Sequence, residues 1–330
     1  MFATKQLLLI NFWVSSILIG KYVFLKDDII SLIYKNKLSK ETKKQLTSEF
    51  KTLKENGYSV VVFPEKNISI FGKCETLPIE ITEFLFETGF DLKYLFLIGT
   101  YYASPIWSKE HRKCETRYFQ QFEIEHNIIK NHTPEKRHQE ISNFMPSSAS
   151  VYAHKFPLHI RSNKLAENID TIVYACPNCR SFFSIYSEFN CIKCRECGTV
   201  IEFSKDGKIL FSKQITLFDD IEEFLFDTLI HKDFDNNPLI EYENVTRIAL
   251  NNKNRIEKKP ETELKIYANK FSIKNETFNK TYDISDVEEF NLLPKNTLEV
   301  VLKKGKPFHI QGKNKENLYI LIDLLKLYRK

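Results

Sequence analysis

Five cysteines fall within one short stretch, CPNCRSFFSIYSEFNCIKCRECG, and nothing else in the chain restricts its fold as tightly. Cys176 and Cys179 form one C-x2-C pair, and Cys194 and Cys197 form another. Two such pairs at this separation are the signature of a tetrahedral zinc site. Each knuckle gives two thiolates to one metal and leaves backbone N–H groups free to bond the sulfurs. Cys191 competes for the second pair, because Cys191-x2-Cys194 has the same spacing. Gly198 decides for Cys194 and Cys197. A glycine after the last ligand permits a turn with positive φ, whereas the Cys191 pair runs on into Arg195. Cys191 is the spare thiol. Four thiolates leave no open coordination position, so the site reads as structural. In so small a segment the metal is expected to supply most of the folding free energy, roughly 10–16 kcal/mol in finger peptides. Cys74 and Cys114 read as isolated thiols. With 7 cysteines in 330 residues used this way, the chain belongs in a reducing compartment and has no disulfide framework.

A second informative stretch is YSVVVFPEKNISIFGK, Tyr58 to Lys73. The apolar run Val60 to Phe63 ends at Pro64-Glu65, followed by polar residues and Gly72. This reads as a buried parallel strand stopping at a loop. In open α/β sheets ligands bind at the loops beyond the strands' carboxyl ends. Glu65, straight after Pro64, is therefore a candidate site carboxylate, against the plainer reading of a surface loop.

VVVFPEKNIS also resembles the Phe-Pro-Glu-Gly-Thr-Arg-Ser block of glycerophospholipid acyltransferases, the lysophosphatidic acid acyltransferase family. ATKQLLLINFWVSSILIGKYVFLKDD, Ala3 to Asp28, resembles that family's second block. There a lysine-containing helix leads to a strand and then to an Ile-x-Arg phosphate contact, and Lys26 stands where that Arg would be. YLFLIGTYYASPIW, Tyr94 to Trp107, resembles the fourth block. The order and spacing match over about the first 110 residues. IRSNKLAENIDTIVYACPNC, Ile160 to Cys179, resembles a bacterial subgroup in which a zinc ribbon follows the acyltransferase domain. The resemblance implies transfer of an acyl group from a thioester donor, acyl-CoA or acyl carrier protein, to a lysophospholipid such as 1-acylglycerol-3-phosphate. It implies substrate contacts at Lys26, Phe63, Pro64, Glu65, Lys66, Asn67, Ser69 and Lys73.

The departures bear on the chemistry. The family's catalytic His-x4-Asp precedes the second block, and this chain, beginning at Met1 inside that block, has none. His132 is followed five residues later by Arg137, and its segment reads as a helix start at Thr133-Pro134. Lys66 replaces a family Gly, Ile68 a family Arg, and Ile106 stands where the subgroup has Arg. Lysines at 26, 66 and 73 restore some charge without the bidentate fork of Arg. Acyl transfer needs a general base for the acceptor hydroxyl, and losing one costs about 10²–10⁴-fold. Two readings stand: a copy incomplete at its N-terminus, or a catalytically dead, lipid-binding or scaffold relative that keeps the shape.

The rest of the chain divides into residues 1–165, the α/β acyltransferase-like domain; 166–205, the zinc ribbon; and 206–330, a mostly β domain with a closing helix. Ser39 to Asn56 is expected to be helical, with Leu46, Phe50 and Leu53 on one face and Gly57 as its stop. Further helices are expected over Ile79 to Thr88 and Leu217 to Ile230. Alternating segments from Ile240 to Ile310 read as antiparallel strands. Lys315 to Lys330 reads as an amphipathic helix carrying Leu318, Ile322, Leu325 and Leu327. Strands closed by one helix suggest a small pleckstrin-homology-like barrel, with the basic pair Lys303-Lys304 on a turn. The apolar stretch Leu7 to Leu25 has the length of a membrane span, but Asn11, Ser15, Ser16 and Lys21 interrupt it. The preferred reading is a buried helix to about Ile19 and then a strand from Tyr22 to Leu25. Lys+Arg 48 against Asp+Glu 43 gives a net charge of +5, enough for weak attraction to anionic lipid. The ribbon lacks the basic, aromatic-studded face of a nucleic-acid module. The chain is thus expected to be cytoplasmic and peripherally membrane-associated, with no nucleic-acid partner.

Overall fold

The computed structural model describes residues 6–12, 21–24, 29–32, 40–62, 69–74, 76–143, 148–211, 214–216, 218–250 and 256–330. They divide into two compact units. The first takes in Met1–Tyr102 and Cys114–Phe156; the second takes in Ala103–Lys113 and Pro157–Lys330.

The first unit is built on strands β1 (Gln6–Phe12), β2 (Val60–Val62), β3 (Asp91–Ile98) and β4 (Arg117–Ile124), hydrogen-bonded in the order β2-β1-β3-β4. β1 runs parallel to both neighbours, with Leu8 opposite Val61 and Lys93; β4 is antiparallel to β3. This corrects the helix expected from Leu7 to Ile19. Gln6 to Phe12 is a strand in the interior of the sheet, and a second strand, Lys21–Phe24, pairs with Ile29–Leu32. A continuous apolar run carries no period, so it fits a buried helix, a membrane span and a doubly flanked parallel strand alike.

Helix α1 (Lys40–Glu55) lays Phe50, Leu46 and Leu53 on the core that β2 and β3 share with α2 (Ile79–Glu87). Phe50 meets Phe84 edge-on at 5.6 Å. α1 stops at Gly57, whose φ is +87°; Tyr58 N–H reaches back to the Leu53 carbonyl and Gly57 N–H to that of Lys54. That double bond to the last turn needs a residue that accepts the left-handed region. Helix α3 (Pro134–Ser142) starts where Thr133 and Pro134 indicate, with the Lys136 N–H on the Thr133 hydroxyl at 3.3 Å. Arg137 of α3 pairs with Glu83 of α2 and lies over the Phe86 ring at 4.0 Å. The Tyr94 hydroxyl closes the other side, donating to the Ile141 carbonyl at 2.8 Å. A short helix, α4 (Ala149–Lys155), completes this unit.

Most of the described strands of the second unit fall in two antiparallel sheets. Strands β5 (Ile185–Glu188), β6 (Cys191–Cys194), β7 (Val200–Phe203), β8 (Ile209–Phe211) and β9 (Gln214–Thr216) pair in sequence order. Helix α5 (Phe218–Ile230) follows and buries Ile221, Leu225 and Leu229. The larger sheet has β10 (Ile240–Leu250), β11 (Ile256–Ile266), β12 (Lys270–Asn275), β13 (Phe278–Asp283), β14 (Val287–Leu293), β15 (Thr297–Leu302) and β16 (Phe308–Gln311). Their order is β13-β12-β11-β10-β16-β15-β14: a four-strand meander joined to a three-strand meander through β10 and β16. Register shifts around Val245 bend the β10–β11 pair. Helix α6 (Ile320–Tyr328) closes this sheet with Ile320, Leu321, Leu324 and Leu325 inward. Its apolar face starts later than the expected one; Leu318 is buried ahead of the helix, while Ile322 and Leu327 are half-buried.

Candidate metal centre

The structure brings Cys176, Cys179, Cys194 and Cys197 together, with all four sulfurs within 4.8 Å of one another. Cys176 Sγ lies 3.6 Å from Cys197 Sγ, and Cys179 Sγ lies 3.7 Å from Cys194 Sγ. A tetrahedral ion with bonds of about 2.3 Å to sulfur sets its ligands about 3.8 Å apart, so this cluster has the dimensions of a four-thiolate site. Cys191 begins β6 opposite Glu188 and Glu202 and is not part of the cluster.

Local hydrogen bonding explains the two knuckles. In the first, Arg180 N–H closes on the Cys176 carbonyl at 2.9 Å, and Arg180 itself takes a positive φ of 60°. Asn178 N–H points at Cys176 Sγ from 3.4 Å, and the Asn178 side-chain amide at Cys197 Sγ from 3.6 Å. In the second, Gly198 has φ +69° and its N–H meets the Cys194 carbonyl at 3.2 Å. Ser184 Oγ lies 3.2 Å from Cys194 Sγ and Thr199 Oγ1 lies 3.1 Å from Cys197 Sγ. Asn178, Ser184 and Thr199 carry no distinguishing signal in the sequence, since hydroxyls and amides are common beside any turn.

The four thiols differ electrostatically. Cys176 is fully buried, and burial pushes its thiol up to about 12. Cys197 is exposed, and bonds from the Thr199 hydroxyl and the Thr199 backbone N–H bring its thiol down to about 5. A bound cation would supply what the buried Cys176 sulfur needs to lose its proton. The donor set is soft, closed and supported by N–H and O–H donors, which fits a structural metal ion.

Of the substrate contacts that the resemblance implies, Lys26, Phe63, Pro64, Glu65, Lys66 and Asn67 lie outside the described residues. Ser69 and Lys73 are described. The Ser69 hydroxyl donates to the Lys73 carbonyl at 2.8 Å, and Lys73 bridges to Ser148 through the backbone. Tyr101, just beyond the end of β3, donates from its hydroxyl to the Ile70 carbonyl at 2.8 Å, and Ala149 N–H meets the Gly72 carbonyl at 2.8 Å. The return segment after β2 is thus fastened to the residue that follows β3. His132 sits ahead of α3, its Nδ1 2.9 Å from the Glu140 carboxylate. In the second unit Ile106 and Trp107 are buried, and the Arg112 guanidinium stands 5.0 Å from the Trp107 ring.

On β10, the fourth of the seven strands in sheet order, the guanidinium of Arg247 stands 5.1 Å from the Phe278 ring and 5.2 Å from the Phe308 ring. Its Nε is buried with no hydrogen-bond partner among the described residues. Lys280, Lys303 and Lys304 are exposed. Lys303-Lys304 reads in the sequence as a basic, solvated turn; Arg247 carries no signal there and stands out only once two distant phenylalanines flank it.

No family model and no curated protein matches the chain. Among solved structures it is similar to the solution structure of the N-terminal PH domain of ARAP2 protein from human, at 15% identity and a TM-score of 0.23, covering 29% of this chain and 87% of that one. A score of that size carries no argument about fold or ligand. Among the described residues no helix is long and apolar enough to cross a membrane.

Proposed function

We propose that the chain is a lysophospholipid acyltransferase-like protein that holds a lysophospholipid such as 1-acylglycerol-3-phosphate on its α/β unit and turns it over little or not at all. The four cysteines carry one structural zinc. One observation carries the lipid reading: β1, β2 and β3 run parallel, and the segments beyond β2 and β3 are tied together by the Tyr101 hydroxyl on Ile70. Carboxyl ends of parallel strands are where such sheets take ligands, and the stretch beyond β2 carries Glu65, Lys66, Ser69 and Lys73. Lysines there suit a phosphate, and residues 1–330 contain no His-x4-Asp to act as the base for the acceptor hydroxyl. The thioester donor would be acyl-CoA or an acyl carrier protein, and the work would be done peripherally at a membrane surface.

The test is binding and turnover with the purified full chain. 1-Acylglycerol-3-phosphate in micelles should bind, and Glu65→Ala with Lys66→Ala should weaken binding without altering the circular dichroism spectrum. Acyl-CoA consumption should stay near background. Rapid turnover by protein free of host acyltransferase would overturn the non-catalytic half; no binding would overturn the whole.

A second reading is favoured by Arg247. A guanidinium set close to two rings with an unmet buried donor suits an anionic headgroup. On this reading the pleckstrin-homology-like sheet is the membrane-binding part. Arg247→Ala should then lower sedimentation with vesicles rich in anionic lipid, and an unchanged bound fraction would remove it.

A further inference from the structure

We infer that occupancy of the four-cysteine site is transmitted to α6, the helix that closes the seven-stranded sheet, so that losing the metal releases that helix. The inference rests on reading the cysteines as a metal site. It gives that site a controlling role over a sheet to which it contributes no strand.

Three connections leave the first knuckle and the chain that leads into it, and all lie within the second unit. The first is Tyr174, fully buried two residues before Cys176. Its carbonyl accepts from Phe183 N–H at 2.7 Å, which brackets the knuckle. Its ring stacks on Phe182 at 5.9 Å and on Tyr319 at 6.4 Å. Its hydroxyl donates to Asp323 Oδ2 at 2.9 Å, and Asp323 is the fully buried carboxylate of α6. The second is Asp170. Its carboxylate accepts from Ser187 and from the Lys315 ammonium at 2.8 Å, while its backbone carbonyl accepts from Asn317 Nδ2 at 3.0 Å. Asn317 Oδ1 in turn accepts from Ile320 N–H, the first residue of α6. The third is Arg180, immediately after Cys179, which pairs with Asp227 of α5 at 3.2 Å.

The Tyr174 and Arg180 contacts depend on the knuckle keeping its shape. Its turn is a few backbone bonds and N–H···S contacts around Arg180, a non-glycine residue at positive φ. Without a cation, four sulfurs within 4.8 Å have no shared partner, and the turn loses what fixes it. Tyr174 then withdraws from Asp323. A buried carboxylate that loses a hydrogen bond is costly to keep buried. Lys326, 2.9 Å away, is itself shared with Glu222, and the Tyr319 hydroxyl is the other group left bonded to that carboxylate. The strain is relieved by loosening α6.

Hydrogen exchange read by mass spectrometry on the full chain tests this, with metal content measured on the same samples. Chelation should speed exchange of peptides covering 318–328 by about ten-fold or more, and leave peptides covering 79–87 in the first unit unchanged. Tyr174→Phe should keep its metal, and its α6 should exchange faster even when loaded, narrowing the response to chelation to about three-fold or less. By linkage, its metal affinity, read by competition with a chromophoric chelator, should fall by the factor through which α6 has loosened. If Tyr174→Phe fails to fold, Lys315→Ala, at a half-exposed side chain, should show the same effects at smaller size. Metal lost with α6 unchanged would overturn the coupling alone. A native chain that binds no metal would overturn both the coupling and the metal reading beneath it.

Discussion

Cys191 and Cys197 stand at equal distances either side of Cys194, and what separates them is the backbone that follows each. After Cys197 comes Gly198 at φ +69°, which turns the chain so that two sulfurs converge; Cys191 instead starts a strand paired on both edges. Cys194→Ser or Cys197→Ser should therefore abolish bound metal, while Cys191→Ser should keep one ion per chain, as elemental analysis of the three purified variants will show. Gly99 is a second position where one atom decides. Its φ is +95°, and a Cβ there would lie 2.2 Å from the Glu115 carbonyl oxygen. Gly99→Ala should cost well over about 1 kcal/mol in urea unfolding of the first unit, since strain and a backbone clash add. His126 supplies a pH dependence. Burial, and next the charge of Lys54, lower its pKa below the ordinary imidazole value. The unfolded chain then takes the proton more readily, so the native state loses ground as pH falls below about 6.5. His126→Gln should flatten the stability of the first unit between about pH 5 and 7, and an undiminished slope would assign that titration to another group.

Elements with both a period and a boundary signal were legible. α1 has Leu46, Phe50 and Leu53 at helical spacing and Gly57 as a stop, and it folds as one helix. α3 has Thr133 and Pro134 at its start, and Thr133 caps it. Thr133→Ala should destabilise the first unit by about 1 kcal/mol, measured by urea titration. β1 shows what happens without a period. QLLLINF carries no alternation and no cap, so length, flanking residues and composition point several ways. Parallel partners on both edges make it a strand, and those partners lie more than fifty and eighty residues away.

At the scale of the molecule, the cysteine spacing by itself determined that four sulfurs would converge, because C-x2-C knuckles form from neighbouring residues and a glycine turn. The helix positions and the alternation from Ile240 to Ile310 were likewise local properties of side-chain period. The company that centre keeps depends on how distant segments pack. An isolated ribbon would melt alone when its metal is removed. Here Tyr174, two residues before Cys176, bonds Asp323 of α6 across 149 residues of chain, and Asp170 holds Lys315 just ahead of that helix across 145, so chelation should also reduce the helical signal beyond the ribbon while the first unit keeps its own. A thermal melt of the chelated chain, followed by circular dichroism, would then show one broad early loss and one unchanged transition. The placing of the Arg247 guanidinium close to Phe278 and Phe308 depends on packing in the same way. No local pattern marks these residues: a hydrogen bond, an ion pair or a ring contact depends on separation in space, and sequence distance says nothing of that until the strands and helices have packed.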